Sequence, residues 1–200
     1  NNPSVASVTN GGLVTALSEG QATFRYTNSV TGCVSSNTNV VTVYGRPSVG
    51  FSGASTICIG STTNLYPANG GVWVSSHPSI ASVGNNGVVT GLAAGTATFT
   101  FTETATGCTS SIPTPLTVGA KPTINDGGSA TLCVGQTKSM TPNTGGYWSS
   151  NHPSIANITN SGVITAMSQG VTNFYFTADN GCISDPSEPV AVSAKPSIAT

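Results

Sequence analysis

Charged side chains are scarce in this chain of 200 residues. Lys and Arg together number five and Asp and Glu six, so 6% of the residues are charged and the formal net charge is −1. An ordinary soluble domain is charged at roughly 25% of its positions. The scarcity excludes a nucleic-acid-binding surface, because such a surface needs clustered cations to neutralise phosphates. It also excludes a disordered tail of like charges.

Long apolar runs are missing as well. No stretch approaches the roughly 18 consecutive apolar residues that a transmembrane helix requires, so we expect no membrane span. The chain opens on Asn-Asn-Pro-Ser, without the basic and apolar segments of a signal peptide. The chain is rich instead in Thr and Val, which favour strands, and in Gly, Pro, Ser and Asn, which favour turns. This composition predicts a β protein and argues against a mainly helical one.

The sequence repeats itself at intervals of about 75 residues. The recurring positions include Gly20, Gly95 and Gly170; Phe24, Phe99 and Phe174; and, at steps of 75 and 74, Cys33, Cys108 and Cys182. We therefore predict the second half of a repeat at residues 1–46, complete repeats at 47–121 and 122–195, and the start of another at 196–200. Such an arrangement predicts that the chain is part of a longer array.

Each complete repeat contains short strand signals separated by turn signals. Thr and apolar residues alternate strictly over residues 96–102, which is the period-2 pattern of a half-buried strand. Upstream, residues 80–83 and 88–92 flank a Gly-Asn-Asn-Gly turn, and Asn-Gly matches the twist of tight hairpins. Six or seven such strands per repeat predict a small antiparallel β-sandwich.

The motifs of the first complete repeat resemble a known family. Residues 73–83 read WVSSHPSIASV, residues 87–92 read GVVTGL and residues 94–99 read AGTATF. This combination resembles the bacterial Ig-like domain of group 2, a module common in large surface adhesins, and the resemblance extends over nearly the whole chain. The cysteine pattern is similar to that of tandem versions in giant secreted proteins of Bacteroidetes-type bacteria. The resemblance implies tandem Ig-like sandwiches, an extracellular or cell-surface location, and no catalytic residues.

Five cysteines follow the repeat and allow two disulfide frames. In the first, Cys58 bonds Cys108 and Cys133 bonds Cys182 inside the complete repeats, while Cys33 bonds an upstream cysteine outside these residues. In the second, the bonds cross the repeat junctions, from Cys33 to Cys58 and from Cys108 to Cys133. We favour the first frame, because a small domain is usually stabilised by an internal disulfide. Closing each loop of about 50 residues contributes roughly 4 kcal/mol by chain entropy.

Large aromatic residues recur at positions predicted to lie in the core. An Ig-type sandwich buries a Trp on its third strand, and the alternation around both Trp residues places them opposite their neighbours. The predicted core residues are Trp73, Trp148, Phe24, Phe99 and Phe174.

No cofactor is expected. Asp179, Asp185 and Glu188 fall within ten residues of each other, and carboxylates near domain junctions can bind Ca²⁺. However, the preceding repeat has neutral residues in that region, whereas a junction ion would be expected to recur. His77 and His152 each precede a proline and are interpreted as turn residues. We predict no metal ligand and no enzyme activity.

Two non-enzymatic functions fit these observations. The first is a structural segment of a long extracellular bacterial surface protein, forming a stalk or filament. Its partners are neighbouring repeats of the same chain and, in a homopolymeric filament, other copies. The alternative is an adhesive module that binds glycans or surface receptors, with avidity from the tandem display. A third interpretation, an accessory region of a secreted enzyme, places the catalytic domain elsewhere.

Overall fold

The chain is an all-β protein. A computed structural model describes residues 1–112 and 115–196, and within these ranges it contains 22 strands and no helix. The predicted fold class is therefore confirmed. Over the same ranges, no helix has the length and apolar character that crossing a membrane would require.

The strands fall into three groups. The first group lies within residues 1–46, which we call the leading segment. Its strands are β1 (Ala6–Val8), β2 (Val14–Ala16), β3 (Gly20–Ala22) and β4 (Val41–Val43). They form two antiparallel pairs, β1 with β2 and β3 with β4.

Residues 47–121, the middle unit, form a complete sandwich. Its strands are β5 (Gly50–Phe51), β6 (Thr56–Cys58), β7 (Thr62–Tyr66), β8 (Gly71–Ser75), β9 (Ala81–Val83), β10 (Val88–Gly91), β11 (Gly95–Ala97), β12 (Phe99–Glu103), β13 (Thr109–Ser111) and β14 (Leu116–Gly119). They pair in the orders β5-β7-β10-β9, β13-β12-β8 and β11-β14-β6. The hairpin of β9 and β10 is the one that the Asn-Gly turn predicts.

Residues 122–195, the last unit, repeat this arrangement. Its strands are β15 (Ala130–Cys133), β16 (Thr137–Ser139), β17 (Gly146–Ser150), β18 (Ala156–Ile158), β19 (Val163–Ala166), β20 (Gly170–Thr172), β21 (Phe174–Ala178) and β22 (Val190–Ser193). The pairing orders are β16-β19-β18, β17-β21 and β15-β22-β20.

In each complete unit, two consecutive strands separated by one residue belong to different sheets: β11 and β12 in the middle unit, and β20 and β21 in the last. The alternation over residues 96–102 predicts a single strand, but the structure interrupts it at Thr98. There the Thr98 N–H donates to Ser76 Oγ at 2.9 Å, while β11 pairs with β14 and β12 pairs with β8. The last unit breaks in the same place, at Asn173. A side-chain hydroxyl thus replaces a ladder partner where the strand changes sheets.

In each complete unit the strand that ends at the first cysteine runs parallel to the last strand, whereas the sequence predicts an antiparallel sandwich. β6 pairs with β14, so that Cys58 lies opposite Gly119. β15 pairs with β22, so that Cys133 lies opposite Ser193. The first cysteine of each complete unit therefore stands where the chain leaves that unit, and we call this end of a unit its exit end.

Two separate cores fill the complete units. Trp73, Phe99, Trp148 and Phe174 are buried in them, whereas Phe24 of the leading segment is half-buried. Each indole is packed against a Phe ring, with centroids 5.0 Å apart in the middle unit and 5.2 Å apart in the last. The indole N–H donates to a proline carbonyl oxygen at 2.9 Å and 2.8 Å respectively, so burial leaves no polar atom of the ring unpaired.

The tight pairing of β17 and β21 depends on glycine. A methyl group at Gly146 would overlap the carbonyl oxygen of Thr177 on the neighbouring strand. We expect Gly146→Ala to destabilise the last unit by about 1–3 kcal/mol, measured by thermal denaturation. Ser149→Ala, on the exposed side of the same strand, is the control and should change stability by less than about 0.5 kcal/mol. Equal losses in both variants would contradict this account.

Candidate interface between repeat units

The middle and last units are joined by a covalent bond. Cys58 and Cys182 form a disulfide with Cα atoms 5.6 Å apart and a sequence separation of 124. The in-unit pairs predicted from the spacing, Cys58 with Cys108 and Cys133 with Cys182, are therefore not formed in this structure. The bonds across the junctions, the other frame considered, are not formed either, because Cys33, Cys108 and Cys133 are thiols here.

Topology explains why an in-unit bond does not form. β14 runs antiparallel to β11, and its end at the exit end lies beside Gly95, where β11 begins. The chain then continues through β12 to Glu103 before it reaches the turn at Cys108. Those nine residues span roughly 26 Å, at about 3.3 Å for each of the eight steps between them. Cys58 and Cys108 therefore lie at opposite ends of the middle unit, and we call the end that carries Cys108 the loop end.

The bridge brings the loop end of the last unit against the exit end of the middle unit. A Cβ atom at Gly119 would lie 2.9 Å from the Sγ of Cys182 and 3.0 Å from the Nδ2 of Asn180. Glycine at this position therefore permits the close approach. Sequence reasoning did not identify Gly119 or Asn180 as contact residues, because neither belongs to a recurring motif: residue 44 is Tyr and residue 193 is Ser at the equivalent of Gly119.

A tight turn holds Cys182 in place. The Cys182 N–H donates to Asn180 Oδ1 at 2.9 Å, and the Ala178 N–H donates to the Cys182 carbonyl oxygen at 2.9 Å. Gly181 adopts a φ of 82°, in the left-handed region that glycine tolerates best. Cys182 is fully buried, so the bridge is sealed from solvent on the side of the last unit.

An ion pair lies on the linker between the two units. Lys121 Nζ donates to Asp185 Oδ1 at 2.8 Å, and the side chains are 45% and 81% exposed. Exposed pairs of this kind contribute about 0–1 kcal/mol. The pair therefore orients the linker without contributing much to stability.

Among the acidic residues considered as calcium ligands, the carboxylate of Asp185 has a cationic partner. Asp185 pairs with Lys121, and the backbone N–H of Glu188 donates to Asp126 Oδ2 at 2.6 Å. Across residues 1–112 and 115–196, no three His, Cys, Asp or Glu side chains gather in a group that could hold a metal ion.

Asp126, near the start of the last unit, accepts backbone hydrogen bonds from Gly128 and Glu188. The backbone N–H of Gly128 has the largest influence on the Asp126 carboxyl and lowers its pKa. Burial comes next and raises the pKa, and the backbone N–H of Glu188 lowers it further, so the pKa stays below its usual value. A lowered pKa contributes stability above the carboxyl's unfolded pKa, which is lost as pH falls through the folded value.

We therefore expect the last unit to lose stability as pH falls below about 4. Asp126→Asn should remove part of that dependence while keeping an oxygen acceptor, as followed by denaturation at pH 7, 4 and 3. Asp179→Asn is the control, since the structure gives that carboxylate no comparable partners among the described residues. The same acid sensitivity in the Asp126→Asn variant would count against this role.

The histidines occupy the turns predicted for them. The carbonyl oxygen of His77 accepts from the N–H groups of Ile80 and Ala81, at 2.9 Å and 3.0 Å. Its ring lies 3.0 Å from Ser76 Oγ, a contact that resembles a base beside a nucleophile. However, that hydroxyl already accepts from the Thr98 N–H, and residue 151 of the last unit is Asn rather than Ser. The pair is therefore structural in this geometry.

The leading segment exposes a face that complete units bury. Tyr26 is 67% exposed whereas the equivalent Phe101 is 1% exposed, and Val14 is 41% exposed whereas Val89 is fully buried. A groove of about 550 Å³ runs along this face and is lined by Phe24 among others. In the middle unit, strands β6 to β8 supply the residues that cover the same positions.

Comparison with known families identifies part of this fold. Residues 61–111, within the middle unit, match the family described as the bacterial Ig-like domain, group 2. The resemblance found in the sequence is therefore confirmed for this segment. No protein with a curated description matches the chain.

Several solved structures are similar in fold. The C-terminal fragment of intimin, in complex with the intimin-binding domain of its translocated receptor, is 14% identical with a TM-score of 0.47, over 74% of this chain and 64% of that one. Invasin, a bacterial integrin-binding protein, is 13% identical with a TM-score of 0.47, over 90% and 46%. Surface layer protein SbsC, domains 1–6, is 16% identical with a TM-score of 0.31, over 97% and 38%. The chain thus spans less than two thirds of each.

Proposed function

We propose, taking residues 61–111 as a bacterial Ig-like domain of group 2, that this chain is a structural segment of an extracellular bacterial surface protein. Its Ig-like units form a stalk or filament and carry no enzyme activity. The supporting observation is the bond between Cys58 and Cys182. A covalent link between consecutive units limits how far they can bend or separate. That property suits a protein that bears mechanical load rather than one that catalyses a reaction.

The same bond supports a location outside the cytoplasm. Structural disulfides persist in oxidising compartments and are rare where glutathione keeps thiols reduced. The low charge of the chain suits a stalk as well, because a surface with few charges has little electrostatic attraction to screen and changes little with salt.

Microscopy of the intact protein tests this proposal. Single-particle images of the full-length protein, purified without reductant, should show rows of units with a narrow distribution of angles at each junction. Reduction with a phosphine should broaden that distribution, because it removes the covalent bond between the two units. An angle distribution that is broad from the start, or that reduction leaves unchanged, would contradict a stiffened stalk.

A binding experiment separates the stalk from an adhesive module. The oxidised 200-residue chain is applied to a glycan array and to immobilised host surface proteins. A stalk should give no saturable binding, whereas an adhesin should bind a defined ligand more tightly as the number of units increases. Saturable binding would contradict a purely structural role and support an adhesive module that binds through the exposed faces of the units.

A further inference from the structure

We infer that the bridge recurs along the array, with the exit-end cysteine of each unit bonded to the loop-end cysteine of the next. This rests on the proposed function and specifies how its units are joined. In the described residues one such pair is complete, Cys58 with Cys182. Cys133, at the exit end of the last unit, would then bond the loop-end cysteine of a following unit. Cys108, at the loop end of the middle unit, would bond the exit-end cysteine of a preceding unit. Cys33 occupies the same loop-end position in the leading segment.

The exit end is built alike in both complete units. Cys58 lies opposite Gly119 and Cys133 lies opposite Ser193. The residue after each cysteine donates its N–H to the opposite strand at the same distance, 3.1 Å. The next residue, a glycine in both units, donates to the neighbouring sheet at 2.8 Å in each case. Both cysteines are half-buried, and both stand opposite the last strand of their unit.

The loop end has the same backbone features in three places. Before each loop-end cysteine stands a glycine with positive φ, at 71° for Gly32, 72° for Gly107 and 82° for Gly181. The carbonyl oxygen of each cysteine accepts a backbone N–H at 2.9 Å. Cys108 N–H donates to a side-chain oxygen two residues upstream, as Cys182 N–H does. The three turns therefore share the preceding glycine and the hydrogen bond at the cysteine carbonyl, although the turn that holds the bonded Cys182 is one residue shorter than those at Cys33 and Cys108.

Geometry excludes a bond between Cys108 and Cys133. Cys108 lies at the loop end of the middle unit and Cys133 at the exit end of the last unit, so both complete units separate them. Each cysteine therefore faces outward along the array. The partner that matches is a second Ig-like unit of this repeat, presenting a cysteine at the complementary end.

The exit ends of the two units depart from each other at two residues. Gln136 Oε1 accepts the Cys133 N–H at 2.7 Å, where the middle unit has Ser61. The second departure is Ser193, which occupies the position of Gly119 in the middle unit. Gly119 has no Cβ atom, and a Cβ atom placed there would lie 2.9 Å from the Sγ of Cys182. A following unit must therefore sit a few tenths of an ångström farther away. The Gly119→Ser variant reproduces this situation at the junction that is already bridged, and the proposal requires that Cys58 and Cys182 still bond in it.

Bond formation is an ordinary thiol–disulfide exchange. The thiolate of one cysteine attacks a small oxidised disulfide such as oxidised glutathione and releases one reduced thiol. The second cysteine then displaces the other half. Two protons and two electrons leave the cysteine pair, and one glutathione disulfide becomes two glutathione molecules. An oxidising compartment supplies the disulfide.

Disulfide mapping of the full-length protein tests the inference. Thiols are blocked with an alkylating reagent before digestion, with cleavage before Asp126 and Asp179 and after aromatic residues to separate the cysteines. We expect the Cys133 peptide bonded to a loop-end peptide, and the Cys108 peptide bonded to an exit-end peptide. Alkylated Cys108 and Cys133, or a bond between the two, would overturn the inference.

A lengthened chain identifies where the partner comes from. Residues 122–195 are repeated once after Lys195, and the protein is oxidised with glutathione. Cys133 should bond the second copy of Cys182. A monomer on a non-reducing gel places the bond within one chain, and a covalent dimer carrying the same bond places it between chains. If Cys133 remains a thiol in the lengthened chain, the inference is contradicted. This outcome is independent of the stalk proposal, because the junction between the middle and last units of the 200-residue chain could still be stiff.

Discussion

Replacing Cys58 with alanine is expected to lower the free energy of unfolding by up to about 5 kcal/mol. The Cys58–Cys182 bond closes a loop with a sequence separation of 124, and chain entropy assigns about 5 kcal/mol to a loop of that length. The midpoint of thermal unfolding should fall by on the order of 15 °C. Each complete unit holds one Trp, so fluorescence follows both units. Without the bridge, the signals of Trp73 and Trp148 should separate into two transitions.

The repeat supplies a matched control for this change. Cys133→Ala alters the equivalent position of the last unit, which is also half-buried but carries a thiol in the chain studied. It should leave the unfolding midpoint nearly unchanged. Reduction of the parent chain should reproduce the Cys58→Ala result. Equal effects of the two variants, or a parent chain insensitive to reductant, would show that the bridge does not stabilise the pair of units.

Phe176→Ala should unfold the last unit selectively. Phe176 is 1% exposed, and its ring packs against Trp148 with centroids 5.2 Å apart. Removing a buried Phe costs about 3–5 kcal/mol through lost burial and the cavity that remains. That cost is a large fraction of the stability of a unit of this size. The signal of Trp148 should move to lower denaturant in a background where Trp73 is replaced by Phe.

The control for that variant lies on the strand paired with Phe176. Tyr147 is 54% exposed and stands next to Trp148 on β17, so Tyr147→Ala removes a ring that faces water. Its effect should stay within about 0.5 kcal/mol. The Trp73 signal, followed in a Trp148→Phe background, should keep its midpoint in the Phe176→Ala variant apart from any coupling through the bridge. A loss confined to the middle unit would contradict the assignment of two separate cores.

Local structure could be predicted from the sequence because its causes are local. The Gly-Asn-Asn-Gly turn specifies the hairpin of β9 and β10, and the structure confirms it. Alternation around Trp73 separates the core face of β8 from the exposed face, where Val72 and Val74 are 45% and 57% exposed. The turn at His77 precedes a proline in both complete units, and its carbonyl oxygen accepts the hydrogen bonds of a tight turn.

The rest depends on contacts between distant residues, which periodicity does not encode. The alternation continues unchanged through Thr98, so nothing in it marks the change of sheet. The hydroxyl that accepts the Thr98 N–H belongs to Ser76, 22 residues away in the sequence. The parallel pairing of β6 with β14 likewise joins the two ends of a unit. It places Cys58 far from Cys108, although a spacing of 50 residues suits a bond between them.

The disulfide frame was missed for a related reason. The period fits three frames equally well: within a unit, from one unit's late cysteine to the next unit's early one, and from one unit's early cysteine to the next unit's late one. The structure forms the third, which joins units that are consecutive in sequence through residues far apart in it. Only the topology of the units distinguishes the three, because it decides which cysteine stands at which end.

The bond between Cys58 and Cys182 also makes the chain tolerant of damage. A break in the backbone anywhere between residues 59 and 181 leaves the two pieces attached through sulfur. Of the five basic residues, Arg46, Lys121 and Lys195 precede proline, where trypsin cuts poorly. The bond after Lys138 lies inside the bridged span, and the bond after Arg25 lies outside it. If Cys133 bonds a cysteine of a following unit, the stretch of chain closed by that bond overlaps the stretch closed by the Cys58–Cys182 bond between residues 133 and 182. A single proteolytic cut inside either span would then leave the two pieces covalently joined.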